Sequence, residues 1–411
     1  MRQTVCFKHF SRKGYAVFRS LKVEIRICVL AAPMLAFAHT ESLASRADSL
    51  EIVSQQKPDI PLSATEVVGM RVPITFAETA NNVSVITRED IEHAKVQTVN
   101  DLLKLCSGID VRQRGSFGIQ TDISIGGGTF DQTAVLLNGI NVNNPQTGHL
   151  TADFPVSISD IERIEIYDGA SARIFGSQAL NGAINIITRI VNKNTAEARM
   201  QGGSYGTFGG GASANFASRH YLNRISGDYL RSDGGTPNSG FDKYRAYYQG
   251  NYITPELKLI WQGGFTSQCY GANTFYSAAY PNQWEAGSRW LASVKAVTGG
   301  KLHLSPSISW IRSFDHFQLI RHSNKGENFN RNDVFTFGLT GYTDWALGRT
   351  AIGGELRSDG LLSSNMGRPL PESEYVKVEQ QDSTYYKFRD NRTNISFFAE
   401  HHITIKQITL S

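Results

Sequence analysis

From about Ala196 to the end of the chain, apolar and polar positions alternate with a period of two. Tyr244, Ala246, Tyr248, Gly250 and Tyr252 share one face of an extended chain, and Arg245, Tyr247, Gln249 and Asn251 share the other. Phe335, Phe337 and Leu339 alternate with Thr336, Gly338 and Thr340, and Ile395, Phe397, Ala399, His401, Ile403 and Ile405 alternate with mostly polar neighbours. This period predicts about ten strands with one apolar and one polar face, near 197–206, 208–217, 222–231, 242–253, 257–268, 286–297, 302–314, 333–346, 350–359 and 392–405. A soluble sandwich and a transmembrane barrel share that period. The connections separate them. Short links at 218–221, 254–256, 298–301 and 347–349 alternate with long ones at 232–241, 269–285, 315–332 and 360–391, and only the link near Gly206 and Thr207 departs. Sorting of loops by parity is expected of an outer-membrane barrel, with polar side chains inward and apolar ones outward.

Before Ala196 the pattern is mixed. Val83 and Val85 alternate with polar residues as a half-buried strand, and Thr87 with Asp90 forms a partial capping box for a short helix. A second helix follows Thr98, with Leu102, Leu103, Leu105 and Cys106 expected to pack inward and Gly108 as the stop. Val135-Leu136-Leu137 and Ile140-Asn141-Val142 flank Asn138-Gly139, a strong hairpin signal. Ile164-Glu165-Ile166-Tyr167 alternates as another strand. The expected fold is a small α/β domain followed by antiparallel transmembrane strands.

Composition agrees with a strand-rich chain: 38 Gly, 10% aromatic and only 19% charged residues. No apolar run reaches the ~20 residues of a spanning helix. Residues 1–38 combine a long basic start with an apolar run from Ile27 to Phe37 and a small-residue end at Ala36-Phe37-Ala38, the pattern of a secretory signal peptide. Without that leader the basic and acidic counts fall from 41 and 37 to 34 and 36, so the basic balance belongs to the leader and nucleic-acid binding is excluded. Cys6 and Cys28 leave with it, and Cys106 and Cys269 do not make a disulfide framework. Residues 39–62 are polar, carry Pro58 and Pro61 and read as a flexible lead-in.

The ordered series Thr65–Gly69, Val83–Ile91, Val99–Leu103, Ser107–Val111, Leu136–Gly139, Ile161–Ile166 and Ile184–Thr188 resembles the plug domain of a TonB-dependent outer-membrane receptor. The resemblance implies a plug over 63–192, with part of a barrel over 193–411. Such barrels have about 22 strands, so about ten strands imply an incomplete one. It also implies that Thr65, Glu66, Val67, Val68 and Gly69 form a Ton box, an extended segment that adds to a sheet edge of TonB, which works with ExbB/ExbD. Other implied partners are outer-membrane lipid, a scarce large solute such as cobalamin or an iron chelate, and a surface lipoprotein. Gly127–Thr133 and Asn143–His149 look like cobalamin-receptor-like members, whereas siderophore and haem receptors share the architecture. Two positions depart from the family: Gly126 where an arginine is usual, which removes an expected ion pair between plug and barrel, and Ala170 where a proline is usual.

Solute-contact candidates are Asn143, Asn144 and Gln146 in one outward plug loop, 113–118 in another, and Phe275, Tyr276, Tyr280 and Trp284 in the aromatic loop 269–285. Gly126-Gly127-Gly128 lacks the following Lys or Ser of a phosphate cradle. His316 and His322 are expected in one outer loop. His401 and His402 point to opposite faces of a strand and cannot share a metal. Glu372 and Glu374 read as solvated loop charge, and no catalytic, metal or cofactor motif is present. An uptake receptor is the leading reading, with a non-transporting outer-membrane binding protein as the alternative.

Overall fold

The computed structural model describes residues 66–67, 74–75, 83–169, 172, 175–176, 178–405 and 408–410. The expected leader and lead-in, together with Thr65, Val68 and Gly69, lie outside the described residues. Among them, no helix is long and apolar enough to cross a membrane.

Among the described residues, the N-terminal domain is built on a mixed sheet with two short α-helices. Strands β1 (Glu66–Val67) and β2 (Ile74–Thr75) pair antiparallel. β3 (Val83–Ile86) leads into α1 (Arg88–Ala94), where the capping box is complete: the Thr87 hydroxyl accepts from Asp90 N–H, and the Asp90 carboxylate accepts from Thr87 N–H at 2.8 Å. Thr98 caps α2 (Val99–Leu103) as expected. β4 (Ile109–Gln113) and β5 (Thr121–Ile125) form a separate hairpin. β6 (Thr133–Leu137), β7 (Ile140–Asn141), β8 (Ile161–Asp168) and β9 (Gly182–Thr188) join β3 in a sheet of order β3-β8-β9-β6-β7, in which β6 and β9 run parallel. The β6–β7 turn has φ of 51° at Asn138 and 81° at Gly139, the left-handed pair that a two-residue hairpin turn needs.

Two expectations about this domain are corrected. Leu105 is 64% exposed, because α2 ends at Leu103 and the chain then unwinds, so Leu102 and Leu103 fill the core and Leu105 turns out. The alternation at 164–167 does not mark one buried and one open face: β8 lies between β3 and β9, and Ile164, Glu165, Ile166 and Tyr167 are all buried. The Glu165 carboxylate accepts from the Tyr167 hydroxyl and the Asn185 amide, each at 2.9 Å, and pairs with Arg163 at 3.0 Å, so the buried charge is compensated.

After β9 the chain forms one antiparallel sheet. Its long strands are β10 (Thr195–Gly203), β11 (Thr207–Ala217), β12 (Tyr221–Ser232), β13 (Phe241–Ile253), β14 (Leu257–Gly271), β15 (Trp284–Thr298), β16 (Leu302–Gln318), β17 (Glu327–Trp345), β18 (Gly348–Ser363) and β22 (Phe388–Ile405). β19 (Arg368–Pro369) and β23 (Ile408–Leu410) also pair with β22. β20 (Val376–Lys377) and β21 (Tyr385–Tyr386) make a small hairpin inside the 364–387 loop. Each expected long strand is present, and short and long connections alternate as expected. The strands run further toward the long-loop end than the sequence indicates, so the expected 315–332 loop shrinks to 319–326 and His316 stands on β16, apart from His322 in the loop.

The outward face carries Trp290, Val294, Ile308, Phe335, Phe337, Leu339, Ile352, Leu356, Ile395 and Phe397, all exposed. Contiguous apolar area of this size requires an apolar environment. The inward face is not uniformly polar, which corrects the simple polar-in rule. Tyr247, Gly264, Leu291, Ile311 and Val334 are successive cross-strand partners on β13 to β17 and form one row across the wall. Tyr247, Leu291, Ile311 and Val334 join the hydrophobic core of the N-terminal domain, alongside Leu102, Leu137, Ile164 and Ile186. Gly264 leaves room for Pro155, whose ring would lie 2.7 Å from any Cβ placed there.

Candidate ligand-binding site

Cross-strand register places successive rows of inward side chains above that apolar row, toward the long-loop end. The next row contains Arg245, Thr266, Arg289, Ser313 and Asn332. Lys243, Gln268, Gly287, Asp315 and Asn330 follow, and then Phe241, Tyr270, Glu285 and Phe317. The wall therefore passes from apolar to basic, to amide and acid, to aromatic and acid.

The cationic side chains hold the N-terminal domain. Arg224, on the row below the apolar one, is fully buried and donates to Asp160 at 2.8 Å. Lys243 pairs with Asp153 at 3.1 Å. Arg289 donates to the carbonyls of Leu150 and Thr151, Arg245 to that of Val156, and Arg357 to that of Asn143. Asp160 is fixed in turn by capping Ser157 through its N–H and hydroxyl, both at 2.9 Å. Segment 143–160 is thus seated by wall cations meeting its acids and backbone carbonyls. In the Arg224–Asp160 and Lys243–Asp153 pairs the cation stands on the wall and the acid on the N-terminal domain.

Above this seat, two turns of the N-terminal domain meet the wall. The turn between β4 and β5 is closed by Gly115 N–H donating to the Ile119 carbonyl at 3.0 Å. Phe117 and Ile119 enter an apolar cluster with Leu230, Phe241, Tyr270, Ala272 and Phe275. Gln120 has φ of 43°, a left-handed conformation that directs its amide at the Tyr276 hydroxyl and at Glu285, 3.3 Å away. Glu285 also accepts from the Tyr270 hydroxyl at 2.5 Å.

The second turn is 143–151. Asn143 is buried, accepting from Val135 N–H at 2.8 Å and donating to the Thr133 carbonyl at 2.9 Å. Asn144 is buried and accepts from Gln146 N–H at 2.9 Å. These two side chains build the turn. Gln146 reaches the wall, where it accepts from Asn332 at 2.9 Å. Gly148 packs so closely on Phe130 that a Cβ would lie 2.3 Å from its ring, and the following His149 sits 4.5 Å from the same ring. His149 Nδ1 lies 2.5 Å from Asp122 Oδ1, while Arg114 donates to the other Asp122 oxygen at 2.7 Å. Burial pushes the Asp122 carboxyl up, but the hydrogen bonds and charges of His149 and Arg114 outweigh it and hold the group below the usual carboxylate range.

Of the four aromatic candidates, Tyr276 stands over this turn, edge-on to His149 at 6.3 Å and to Phe317 at 5.4 Å. Phe275 packs against the apolar cluster beneath it. Trp284 lies edge-on to His316, and Tyr280 is half-exposed in the loop. The structure brings together Gln146 and Tyr276 and adds Gln120, Asp122, His149, Tyr270, Glu285 and Asn332. A basic or acidic residue in the inward phase of a strand is the sequence signal for Lys243, Arg289, Asp315 and Glu285.

Residues 75–183 match the TonB-dependent Receptor Plug Domain family. These residues are a TonB-dependent receptor plug, seated here against long antiparallel strands. The chain is 33% identical over 130 residues to the vitamin B12 transporter BtuB of Vibrio cholerae serotype O1, covering 31% of this chain and 21% of the relative. With the Vibrio vulnificus vitamin B12 transporter BtuB the identity is 29% over 232 residues, covering 55% and 35%. The chain thus spans well under half of the curated relatives it matches. Among solved structures, the ferric enterobactin receptor PfeA from Pseudomonas aeruginosa aligns with TM-score 0.61 at 17% identity, covering 80% of this chain and 56% of that one. The ferric citrate transporter FecA in its unliganded form aligns with TM-score 0.57 at 16% identity, covering 70% and 48%. At these identities the structural likeness carries the fold alone.

Proposed function

We propose that this chain belongs to an outer-membrane receptor that binds a scarce large solute outside the cell and takes it up when TonB, driven by ExbB/ExbD, pulls on the plug. The solute we favour is a cobalamin-type corrinoid. In this reading 1–38 is a cleaved signal peptide, 39–62 a periplasmic lead-in, 63–192 the plug and 193–411 barrel. Thr65–Gly69 is the Ton box, and the long-loop end faces outward.

The observation that carries the solute class is the chemistry left at the mouth once the plug is seated. Wall cations from Arg224 to Arg357 are engaged by plug acids and carbonyls. The side chains that stay partly exposed at the mouth are Gln146, His149, Tyr276 and Phe317. Two ring faces beside an amide and an imidazole suit a flat solute bearing hydrogen-bonding groups, such as several amides, better than an anionic iron chelate. The plug's likeness to vitamin B12 transporters supports the same choice.

Contact with solute is assigned to Gln146, Phe275, Tyr276, Tyr280 and Trp284, with Asn143 and Asn144 shaping the turn that presents Gln146. The test is equilibrium binding to the full-length receptor in detergent, with cyanocobalamin, ferric citrate, ferric enterobactin and hemin compared. Submicromolar binding of cyanocobalamin alone is expected. Binding of an iron chelate or of hemin in its place assigns the chain to a siderophore or haem receptor.

A further inference from the structure

The outer loops 233–240, 272–283 and 319–326, which follow β12, β14 and β16, are bound to one another. The first is a closed turn. Pro237 fixes its own φ, and the Ser239 hydroxyl accepts from Thr236 N–H at 3.2 Å and donates to the Thr236 carbonyl at 2.7 Å. Within this turn Asn238 has φ of 51°, a left-handed conformation that asparagine tolerates better than most residues. Its side chain enters the second loop, where Nδ2 donates to the carbonyls of Pro281 at 3.0 Å and Gln283 at 2.7 Å. In return, Asn273 Nδ2 donates to the Pro237 carbonyl at 2.9 Å. From the third loop, Arg321 N–H donates to the Asn282 carbonyl at 2.8 Å, and the Arg321 guanidinium approaches Asn238 Oδ1 at 3.5 Å. Carbonyls only accept and arginine only donates, so the Asn238 amide has a single orientation. Gly271 stands at the base of the second loop, where a Cβ would overlap the Asn238 carbonyl.

Gln283 passes this bracing toward the mouth. It is fully buried, its carbonyl accepts from Asn238 and from Ala272 N–H at 2.9 Å, and its Oε1 accepts from Tyr276 N–H at 3.2 Å. Tyr276 is exposed, yet it is held at its far end as well: its hydroxyl accepts from Gln120 of the plug. Phe275 beside it packs into the apolar cluster with Phe117 and Ile119. A segment that swings over an arriving solute is drawn from the weakly bonded parts of a fold. Loop 272–283 would have to break bonds to two neighbouring loops and to the plug.

We infer that loops 233–240, 272–283 and 319–326 form a preformed rim, in which Asn238 is a positioning residue that holds Tyr276 ready for the solute. This rests on the receptor reading above and adds how the site is organised before the solute arrives. A rim already in its binding conformation avoids the ordering cost at docking. Loosening it lowers the fraction of receptors competent to bind, which slows association and leaves dissociation largely unchanged.

The first measurement is amide hydrogen exchange of the full-length receptor in detergent, with no solute added. In the parent, the amides of Ala272, Phe275, Tyr276 and Arg321 should be protected. Asn238→Gly keeps the left-handed turn and removes the bracing amide. Asn238→Asp keeps the turn and the side-chain size but turns an acceptor toward two carbonyls. Both should speed exchange across 272–283 about tenfold, while unchanged exchange in β6 (Thr133–Leu137) shows that the plug is folded. The second measurement is surface plasmon resonance with cyanocobalamin as the probe. Association should slow about fivefold in either variant, with dissociation within about twofold of the parent. Asn238→Gly should also cost less affinity in a Tyr276→Ala background than in the parent, because the two side chains act as one unit. Fast exchange of 272–283 in the parent that slows only with cyanocobalamin makes this loop a moving lid and overturns the inference. Unchanged exchange in both variants, or losses from Asn238→Gly and Tyr276→Ala that simply add, overturn it too. If the parent binds no cyanocobalamin, the proposed solute falls, and hydrogen exchange alone still decides whether the rim is preformed.

Discussion

Arg224 and Asp160 form the most enclosed of the charge pairs that seat the plug, with side chains 0% and 2% exposed. Removing one partner strands a buried charge, so Arg224→Ala should lower plug stability by about 3–5 kcal/mol. Arg224→Met with Asp160→Leu should recover much of that loss, and urea unfolding of the full-length receptor checks both. Asn143 gives a contrasting expectation. Its side chain satisfies Val135 N–H and the Thr133 carbonyl inside the plug, so Asn143→Ala should cost stability of about 1–3 kcal/mol. Gln146→Ala and Tyr276→Ala should instead weaken binding with stability unchanged. Asp122 adds a pH dependence. Its folded-state pKa is depressed, so its contribution is fully present above the ordinary carboxylate range and is lost as pH falls through the lowered folded value. Asp122→Asn should therefore flatten the acid limb, below about pH 4, of a thermal-stability profile; an unchanged limb would show that the pair does not hold the turn.

At the scale of elements, β1 carries the coupling proposal. Glu66 and Val67 pair with Thr75 and Ile74, so the backbone at these two positions of the proposed Ton box is extended, the conformation that strand addition uses. A proline at Val67 fixes φ and removes the N–H that such pairing uses. Val67→Pro should leave solute affinity within about twofold and abolish energised uptake, a loss of about tenfold or more, whereas Val67→Thr should keep most of it. Binding and uptake measured in the same cells separate the steps. Uptake at the parental rate in Val67→Pro cells would move the coupling site elsewhere, with Leu50-Glu51-Ile52 next in line.

For the molecule as a whole, the plug is held by one apolar row on β13 to β17 and by basic positions that include Arg199 on β10, Arg224 on β12 and Arg357 on β18. Replacing Arg289 and Arg357 together by glutamine removes donors from the carbonyls of Leu150, Thr151 and Asn143. The 143–151 turn should then loosen while the barrel persists. The expected outcome is faster protease cleavage within 143–160 and raised ion conductance in planar bilayers; unchanged values would place the seat on the apolar row alone.

The sequence by itself determined the elements. Period-two patterning fixed ten long strands and their outward apolar face, because each strand records its own two faces. Capping residues Thr87 and Thr98 and the Asn138-Gly139 turn were legible because their chemistry is local. Register was not legible. Tyr247, Leu291, Ile311 and Val334 each interrupt a polar face singly, and only cross-strand pairing aligns them into the row that grips the plug. The same holds for the site. Tyr276 and Gln146 could be read as outward loop residues, whereas the burial of Asn143 depends on a neighbouring strand that its own loop does not encode. Asp122 and His149 lie 27 positions apart. Their meeting is decided by how the 148–150 turn packs over β5, and so only the tertiary structure turns a carboxylate and a histidine into a pair.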